Sequence, residues 1–328
     1  MQPPEKAYDL YVLAESATEP DGQSRHDGWC FGLPPGITPE EWPLDPATGY
    51  PLQHGFTLLL PEEFRCHGPD IVAISFFGTA ADHNDGGPVT NRAVEAALAS
   101  KDAPADPALL PFWQAFQRQH PRLHRMQDIL YCNYAVILLT RQEFDAPFTR
   151  PPAPVNSPRL DDVPPPRWLS EGGAAARNSM NYSPLPQKTD HLGSMAALGG
   201  EHAMLADQIA NCALLPFNRA LKLVPRAQDP NAGKVPMESW ASAEDGSGYQ
   251  SFFYWLNDKP GAENYREHDW AQGHQINHLG GTMRPVQAVP EGIGPFYVEF
   301  EEYLGGFNFG GGNAQLDFQN MIFDWACG

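Results

Sequence analysis

Three histidines in the last third of the chain come closest to a pattern that could do chemistry. His274 and His278 stand at positions i and i+4, with His268 shortly before them. Two imidazoles at that spacing share one face of a helix, which is how a zinc-binding helix presents its ligands. In this chain Gln275 occupies the place of the general-base glutamate, and glycines flank the segment too closely for a stable helix. We therefore predict no metal site, and a metal-dependent hydrolase using this histidine cluster is the alternative hypothesis.

Other candidate sites are weaker. The polar stretch at residues 82–87 is rich in oxygen ligands but lacks the spaced acidic residues and terminal glutamate of a calcium hand. Gly310, Gly311 and Gly312 are not followed by the Lys-Ser/Thr pair of a phosphate-binding loop, and no Gly-x-Ser-x-Gly elbow is present. The sequence predicts no catalytic residue and no cofactor, so we expect a protein that is not an enzyme.

The charge balance points to a macromolecular partner. Forty acidic residues face 21 basic ones, for a formal net charge of −19. A negative field of this size repels nucleic acid and anionic membranes and speeds association with a basic partner. We expect acidic clusters with neighbouring aromatic residues to form the binding face. The residues predicted to bind the partner are Asp82, Asp85, Glu238, Trp240, Glu244, Asp245 and Tyr249.

Cysteine usage and apolar runs indicate the compartment. The five cysteines are scattered and form no C-x-x-C pair, a pattern that suits a reducing environment. The first residues lack the basic and apolar regions of a signal peptide, and no run of about 18 apolar residues is present. We therefore expect a cytoplasmic protein with no membrane partner.

Short apolar runs separated by glycine and proline predict the fold class. We expect strands at residues 8–15, 129–140 and 307–309, and a helix at 91–101 capped by Thr90 or Asn91. The pattern favours an α+β fold of antiparallel β-sheets with short strands, long Pro/Gly-rich loops and a few helices. Prolines crowd residues 146–166, so we predict an N-terminal α+β part at 1–150 and a C-terminal β-rich part at 151–328. We expect the two parts to pack as one compact unit.

Two sets of residues resemble the YwqG-like family of bacterial proteins. The first is an opening pattern that ends in an apolar strand: Phe31-Gly32-Leu33-Pro34, Trp42-Pro43 and Gly49-Tyr50-Pro51-Leu52. The second is a Gly-Gly turn with a downstream glutamine and a tryptophan-containing end: His278-Leu279-Gly280-Gly281, Gln287, residues 308–316 and Phe323-Asp324-Trp325-Ala326-Cys327. The acidic residue that often follows the first glycine of the terminal turn in that family is glycine here.

The resemblance implies a mixed α+β fold without established catalytic residues. Members of this family often stand near genes of interbacterial toxins, such as type VI secretion effectors, where an acidic neighbour commonly serves as the immunity protein. The leading hypothesis is therefore an immunity protein that neutralises a basic toxin, most plausibly a nuclease, by occluding its active site. A general cytoplasmic binding or adaptor protein is a further alternative.

Overall fold

The computed structural model describes residues 2–13, 26–84, 89–155, 163–170, 218–237, 248–302 and 304–328. The strands are β1 Tyr8–Val12, β2 Gly28–Cys30, β3 Gln53–Leu59, β4 Ile71–Gly78, β5 Leu123–Gln127, β6 Asn133–Thr140, β7 Arg219–Pro225, β8 Phe253–Trp255, β9 Tyr265–Glu267, β10 His278–Leu279, β11 Tyr297–Glu301, β12 Asn313–Asp317 and β13 Ile322–Ala326. The α-helices are α1 Arg92–Ala99, α2 Leu110–Phe116, α3 Arg141–Phe144 and α4 Arg167–Ser170.

Eleven of these strands form one antiparallel sheet. Its order is β13-β12-β11-β10-β1-β7-β2-β3-β4-β6-β5, while β8 and β9 form a separate two-stranded hairpin. Strand β1 lies between β7 and β10, and β7 also pairs with β2. Strands from residues 1–150 and from 151–328 therefore belong to the same sheet.

The sheet rolls because large aromatic side chains fill its inner face. Every residue of β4 is buried. The ring of Tyr134 on β6 lies 4.0 Å from that of Phe323 on β13, and Phe76 on β4 lies 5.2 Å from Phe323. These contacts bring the two end strands, β5 and β13, against each other. A second apolar cluster covers the opposite face, where Trp42 and Trp168 stack at 6.1 Å.

The predicted fold class is confirmed: the structure is α+β, built mainly from short antiparallel strands with few helices. The predicted helix at residues 91–101 forms as α1 and ends two residues earlier, at Ala99. Asn91 caps it, because its side-chain oxygen accepts a hydrogen bond of 3.2 Å from the N–H of Val94. The strand predicted at residues 8–15 forms as β1 over Tyr8–Val12, and residues 14 and 15 lie outside the described part of the chain.

Two strand predictions were wrong, one in the extent of the strand and one in predicting a strand where the chain is irregular. The strand predicted at 129–140 begins only at Asn133, because the preceding apolar residues form a turn. The strand predicted at 307–309 is an irregular segment between glycines at positive φ, which bend the chain on both sides. Phe307 and Phe309 are nevertheless buried, and their backbone N–H groups bond to Glu302. Their apolar character reflects core packing and not a strand.

Candidate functional site

Most of the residues predicted to bind a partner lie outside the described part of the chain: Asp85, Glu238, Trp240, Glu244 and Asp245. Asp82 is partly exposed, in a short 3-10 turn at Ala81–His83. Tyr249 is only 3% exposed, and its hydroxyl accepts a hydrogen bond of 2.9 Å from the N–H of Met283. The expectation that Tyr249 offers exposed aromatic surface is corrected, since the fold buries its ring.

The three histidines do not converge. The ring of Trp270 stacks on His268 at 5.5 Å and lies 6.0 Å from His274, so an indole stands between the two imidazoles. His278 is fully buried in β10, in an extended backbone that cannot present an i, i+4 pair. Within the described ranges, no group of three or more His, Cys, Asp or Glu side chains could hold a metal ion.

His278 instead belongs to a buried polar network with Glu299. Its Nδ1 lies 2.8 Å from the carbonyl oxygen of Ile276, which only a protonated Nδ1 can satisfy, so Nε2 carries the lone pair. That lone pair lies 3.3 Å from Oε2 of Glu299. Burial lowers the pKa of His278 well below its usual range and raises the pKa of Glu299 to about 7. Near pH 7 the imidazole is therefore neutral and the carboxyl is about half protonated.

The same carboxyl joins three neighbouring strands. Oε1 of Glu299 on β11 accepts from the side-chain amides of Asn313 at 2.7 Å and Gln315 at 3.1 Å, both on β12. Oε2 accepts from the N–H of Arg284 at 2.7 Å. With His278 on β10, these contacts satisfy a polar group that burial would otherwise make costly. This cluster stabilises the sheet and leaves no open position for a substrate.

One pocket of about 130 Å³ lies beside Trp42. Its lining is mainly apolar, with Pro39, Pro51, Pro152 and Pro154 among the contacting residues. Glu40 and Arg118 are the charged residues of the lining, which contains no histidine, cysteine or serine. The pocket suits one apolar group and presents no nucleophile with an adjacent base.

The most unusual surface feature is the turn that joins β5 to β6. We call residues 128–132 the Asp128 turn. Three consecutive large apolar side chains stand in solvent there: Ile129 is 79% exposed, Leu130 40% and Tyr131 70%. An exposed apolar residue is ordinary on its own, whereas a contiguous apolar patch marks an interaction surface.

Asp128 holds this turn rigidly. Its carboxylate is buried, and Oδ1 accepts from the N–H groups of Leu130 and Cys132, each at 2.9 Å. Oδ2 accepts from the hydroxyl of Tyr134 at 3.1 Å and from the indole N–H of Trp325 at 2.6 Å. Two backbone hydrogen bonds close the turn, from Tyr131 N–H to the Asp128 carbonyl and from Asp128 N–H to the Cys132 carbonyl. These hydrogen bonds hold the backbone of the turn, while the side chains of Ile129 and Tyr131 extend into solvent.

The backbone at Tyr131 is strained. Its φ is 68°, in the left-handed region that a hairpin of this kind usually fills with glycine. For an L-residue this conformation costs about 1–2 kcal/mol. Such strain persists where the surrounding structure enforces it, and it concentrates at functional positions.

Polar and acidic groups surround the base of the turn. The thiol of Cys132 donates to Oδ1 of Asn84 at 2.9 Å, and Asn84 exchanges hydrogen bonds of 3.0 and 2.8 Å with Asn308. Asp324 on β13 stands near Asp128, and partial burial raises its pKa. The exposed apolar side chains of the turn therefore lie near the carboxyl groups of Asp128 and Asp324.

The sequence analysis did not predict this turn because its apolar residues are followed almost directly by the apolar residues of the buried strand β6. A signal was available in Asp128 and Asn133, which bracket the apolar residues with types that favour turns. No protein-family model, curated protein or solved structure significantly matches this chain. The function must therefore be inferred from the residues of the chain itself.

Proposed function

We propose that this chain is an immunity protein that binds a basic antibacterial toxin, most specifically a nuclease, and neutralises it by occluding the active site. The observation that carries the proposal is a net charge of −19 on a fold that presents a rigid, exposed apolar turn. The proposed role is binding without catalysis.

Electrostatics supports a basic partner. A nuclease needs cations in its cleft to hold phosphates, and an acidic protein is attracted to that cleft as nucleic acid is. The same negative charge disfavours direct binding of nucleic acid by this chain. Complementary charge raises the association rate, while buried apolar contacts lower the dissociation rate.

The residues that carry the YwqG-like resemblance make hydrogen bonds within the fold. The indole of Trp42 donates to the carbonyl of Leu52 at 2.8 Å, which ties Trp-Pro to Gly-x-Pro-Leu. The side-chain amide of Gln287 donates to the carbonyl of Cys327 at 3.0 Å, which ties the downstream glutamine to the closing segment. These residues hold parts of the fold together, so a partner would be bound by residues outside the motifs.

The proposed site of action is the cytoplasm, where a nuclease toxin would reach its substrate. Cys30, Cys66, Cys132 and Cys327 all carry free thiols, which suits a reducing compartment. No helix in the described ranges is long and apolar enough to cross a membrane.

Deletion of the gene in its native host tests the proposal. We expect the deletion strain to poison itself, and a second deletion, of the gene for the toxin, to restore growth. The tagged protein, purified from native lysate, should retain one stoichiometric basic protein, less of it at moderate than at low salt. A deletion strain that grows normally while the captured protein is active as a toxin would contradict the proposal.

A further inference from the structure

We infer that the Asp128 turn is the anchor of the binding surface and enters an apolar cleft bordered by cations on the basic partner. The inference rests on the proposed function, because the partner's positive charge comes from it. It adds which residues of this chain make the central contact and what chemistry the partner must offer them.

The turn differs from other exposed apolar positions. Val235 is 58% exposed and Val286 41%, and neither has an exposed large apolar residue directly beside it. Tyr254 at 43% and Leu256 at 40% are separated by Trp255, which is only partly exposed. Within the described ranges, only the Asp128 turn exposes three large apolar side chains in succession. The three side chains lie within one five-residue turn, so one cleft on the partner could contact all of them.

The residue types suit a binding hot spot. Tyrosine is enriched in such positions because its ring buries a large area while its hydroxyl keeps a hydrogen bond. Tyr131 is the residue with the strained backbone, and a glycine there would relieve the strain but remove the ring. A strained tyrosine at an exposed tip is therefore explained by a contact that needs the ring.

The turn is ordered before binding. Asp128 bonds to backbone groups within the turn and to side chains on β6 and β13, so the turn, which follows the end strand β5, is also attached to the other end strand, β13. A partner that buries such a turn does not have to order it, and the entropy cost of association is correspondingly small.

The carboxyl groups at the base of the turn indicate which charges should border the partner's cleft. Asp128 and Asp324 are carboxyl groups at its base. Arg125, the cation on β5, donates to the carbonyl of Leu44 and lies 4.4 Å from the ring of Phe116, so it is engaged within the fold. The Asp128 carboxylate is buried and bonded within the fold, so lysine or arginine around the partner's cleft would meet the partly exposed carboxyl of Asp324 once the apolar tip is seated.

Binding measurements on single variants test the inference. The basic protein captured by the wild-type chain is purified and titrated with wild type, Ile129→Ser, Tyr131→Ser and the matched control Val235→Ser. We expect each turn variant to bind about 30-fold more weakly and the control to bind within about 2-fold of wild type. All four proteins should unfold at similar temperatures, because the side chains at positions 129, 131 and 235 are exposed and contribute little to the core.

A photo-cross-linking amino acid at position 131 provides a second measurement that does not depend on affinity. It should form an adduct with the basic partner through a peptide that contains apolar residues flanked by lysine or arginine. The same group at position 235 should form none. Turn variants that bind as tightly as wild type, or adducts at position 235 alone, would overturn the inference.

The two proposals fail in different ways. If the wild-type chain retains no basic protein, the proposed function fails and the inference falls with it. If the wild-type chain retains a basic toxin but the turn variants bind it equally, only the inference fails. If the wild type forms a dimer that Tyr131→Ser abolishes, the turn binds a second copy of this chain and the inference is likewise overturned.

Discussion

The indole Nε1 of Trp325 donates a hydrogen bond of 2.6 Å to Oδ2 of Asp128, across 197 residues of sequence. Trp325 lies on β13 and Asp128 lies at the end of β5, so this bond joins the two end strands of the sheet. The other oxygen of the same carboxylate holds the backbone of the exposed turn. One side chain therefore couples closure of the rolled sheet to the shape of the proposed binding surface.

Replacement of Asp128 by asparagine should lower the free energy of unfolding by about 2–3 kcal/mol. An asparagine side chain has one oxygen and one NH₂ group, so the NH₂ would face donors that now bond to Oδ1 or Oδ2. Urea unfolding followed by tryptophan fluorescence measures the loss.

The matched control for this change is Asp102→Asn, which removes the same charge at an exposed position. It should change the free energy of unfolding by less than about 0.5 kcal/mol. Equal effects of the two substitutions would show that the hydrogen bonds of Asp128 do not hold the turn.

Replacement of Tyr131 by glycine should raise the free energy of unfolding by roughly 0.5–1 kcal/mol. Relief of the left-handed strain contributes about 1–2 kcal/mol, from which the entropy of glycine in the unfolded chain subtracts about 0.5–1 kcal/mol. The control is Tyr131→Ala, which removes the ring but keeps the strained Cβ and should bring no gain. Thermal unfolding compares the two, and a glycine variant less stable than the alanine variant would argue against strain at this residue.

The buried carboxyl of Glu299 should make stability depend on pH. Burial raises its pKa from 4.5 to about 7, so the folded protein holds a proton that the unfolded chain has released. The contribution of Glu299 to the free energy of unfolding is present below about pH 4.5 and is lost as pH rises through 7, by about 1 kcal/mol per pH unit. His278 acts in the opposite sense, since its pKa is lowered and its contribution is lost as pH falls below 6.5.

The variant Glu299→Gln isolates the contribution of Glu299. Its free energy of unfolding, minus that of wild type, should rise between about pH 4.5 and 7 and stay level above 7, because glutamine does not titrate. Urea unfolding at several pH values measures the difference. A difference that is constant with pH would mean that Glu299 is ionised in the folded protein.

Two adjacent glycines in the terminal turn should respond very differently to alanine. A Cβ on Gly312 would overlap the carbonyl of Ala326 on the neighbouring strand, whereas a Cβ on Gly311 has no atom within 4 Å. Gly311 has a φ of 81°, so alanine there introduces backbone strain of about 1–2 kcal/mol. Gly312 does not lie in the left-handed region, so the cost of Gly312→Ala comes from the clash with backbone alone and should be about 3 kcal/mol or more. Thermal unfolding of the two variants measures the gap, and equal losses would mean that the two strands separate easily at this point.

The elements that were predicted correctly are those whose sequence signals lie within a few residues of one another. The apolar run at residues 8–15 predicted β1, and the polar residue Asn91 before a helical pattern predicted the cap of α1, because both depend on neighbours within a few residues. The reading of Ile129–Tyr131 as strand failed because apolar letters alone do not distinguish a buried strand from an exposed turn. The strand β5 has mixed polarity and was not predicted.

The sequence by itself determined the acidic character of the protein, its α+β class and the absence of a helical zinc motif around His274 and His278. These properties follow from composition and from spacings of a few residues. Only the tertiary structure decided that Tyr249 is buried, that burial beside His278 raises the pKa of Glu299, and that Asp128 bonds to Trp325. Each of these depends on partners distant in the chain, which meet only when the strands pair and aromatic packing rolls the sheet.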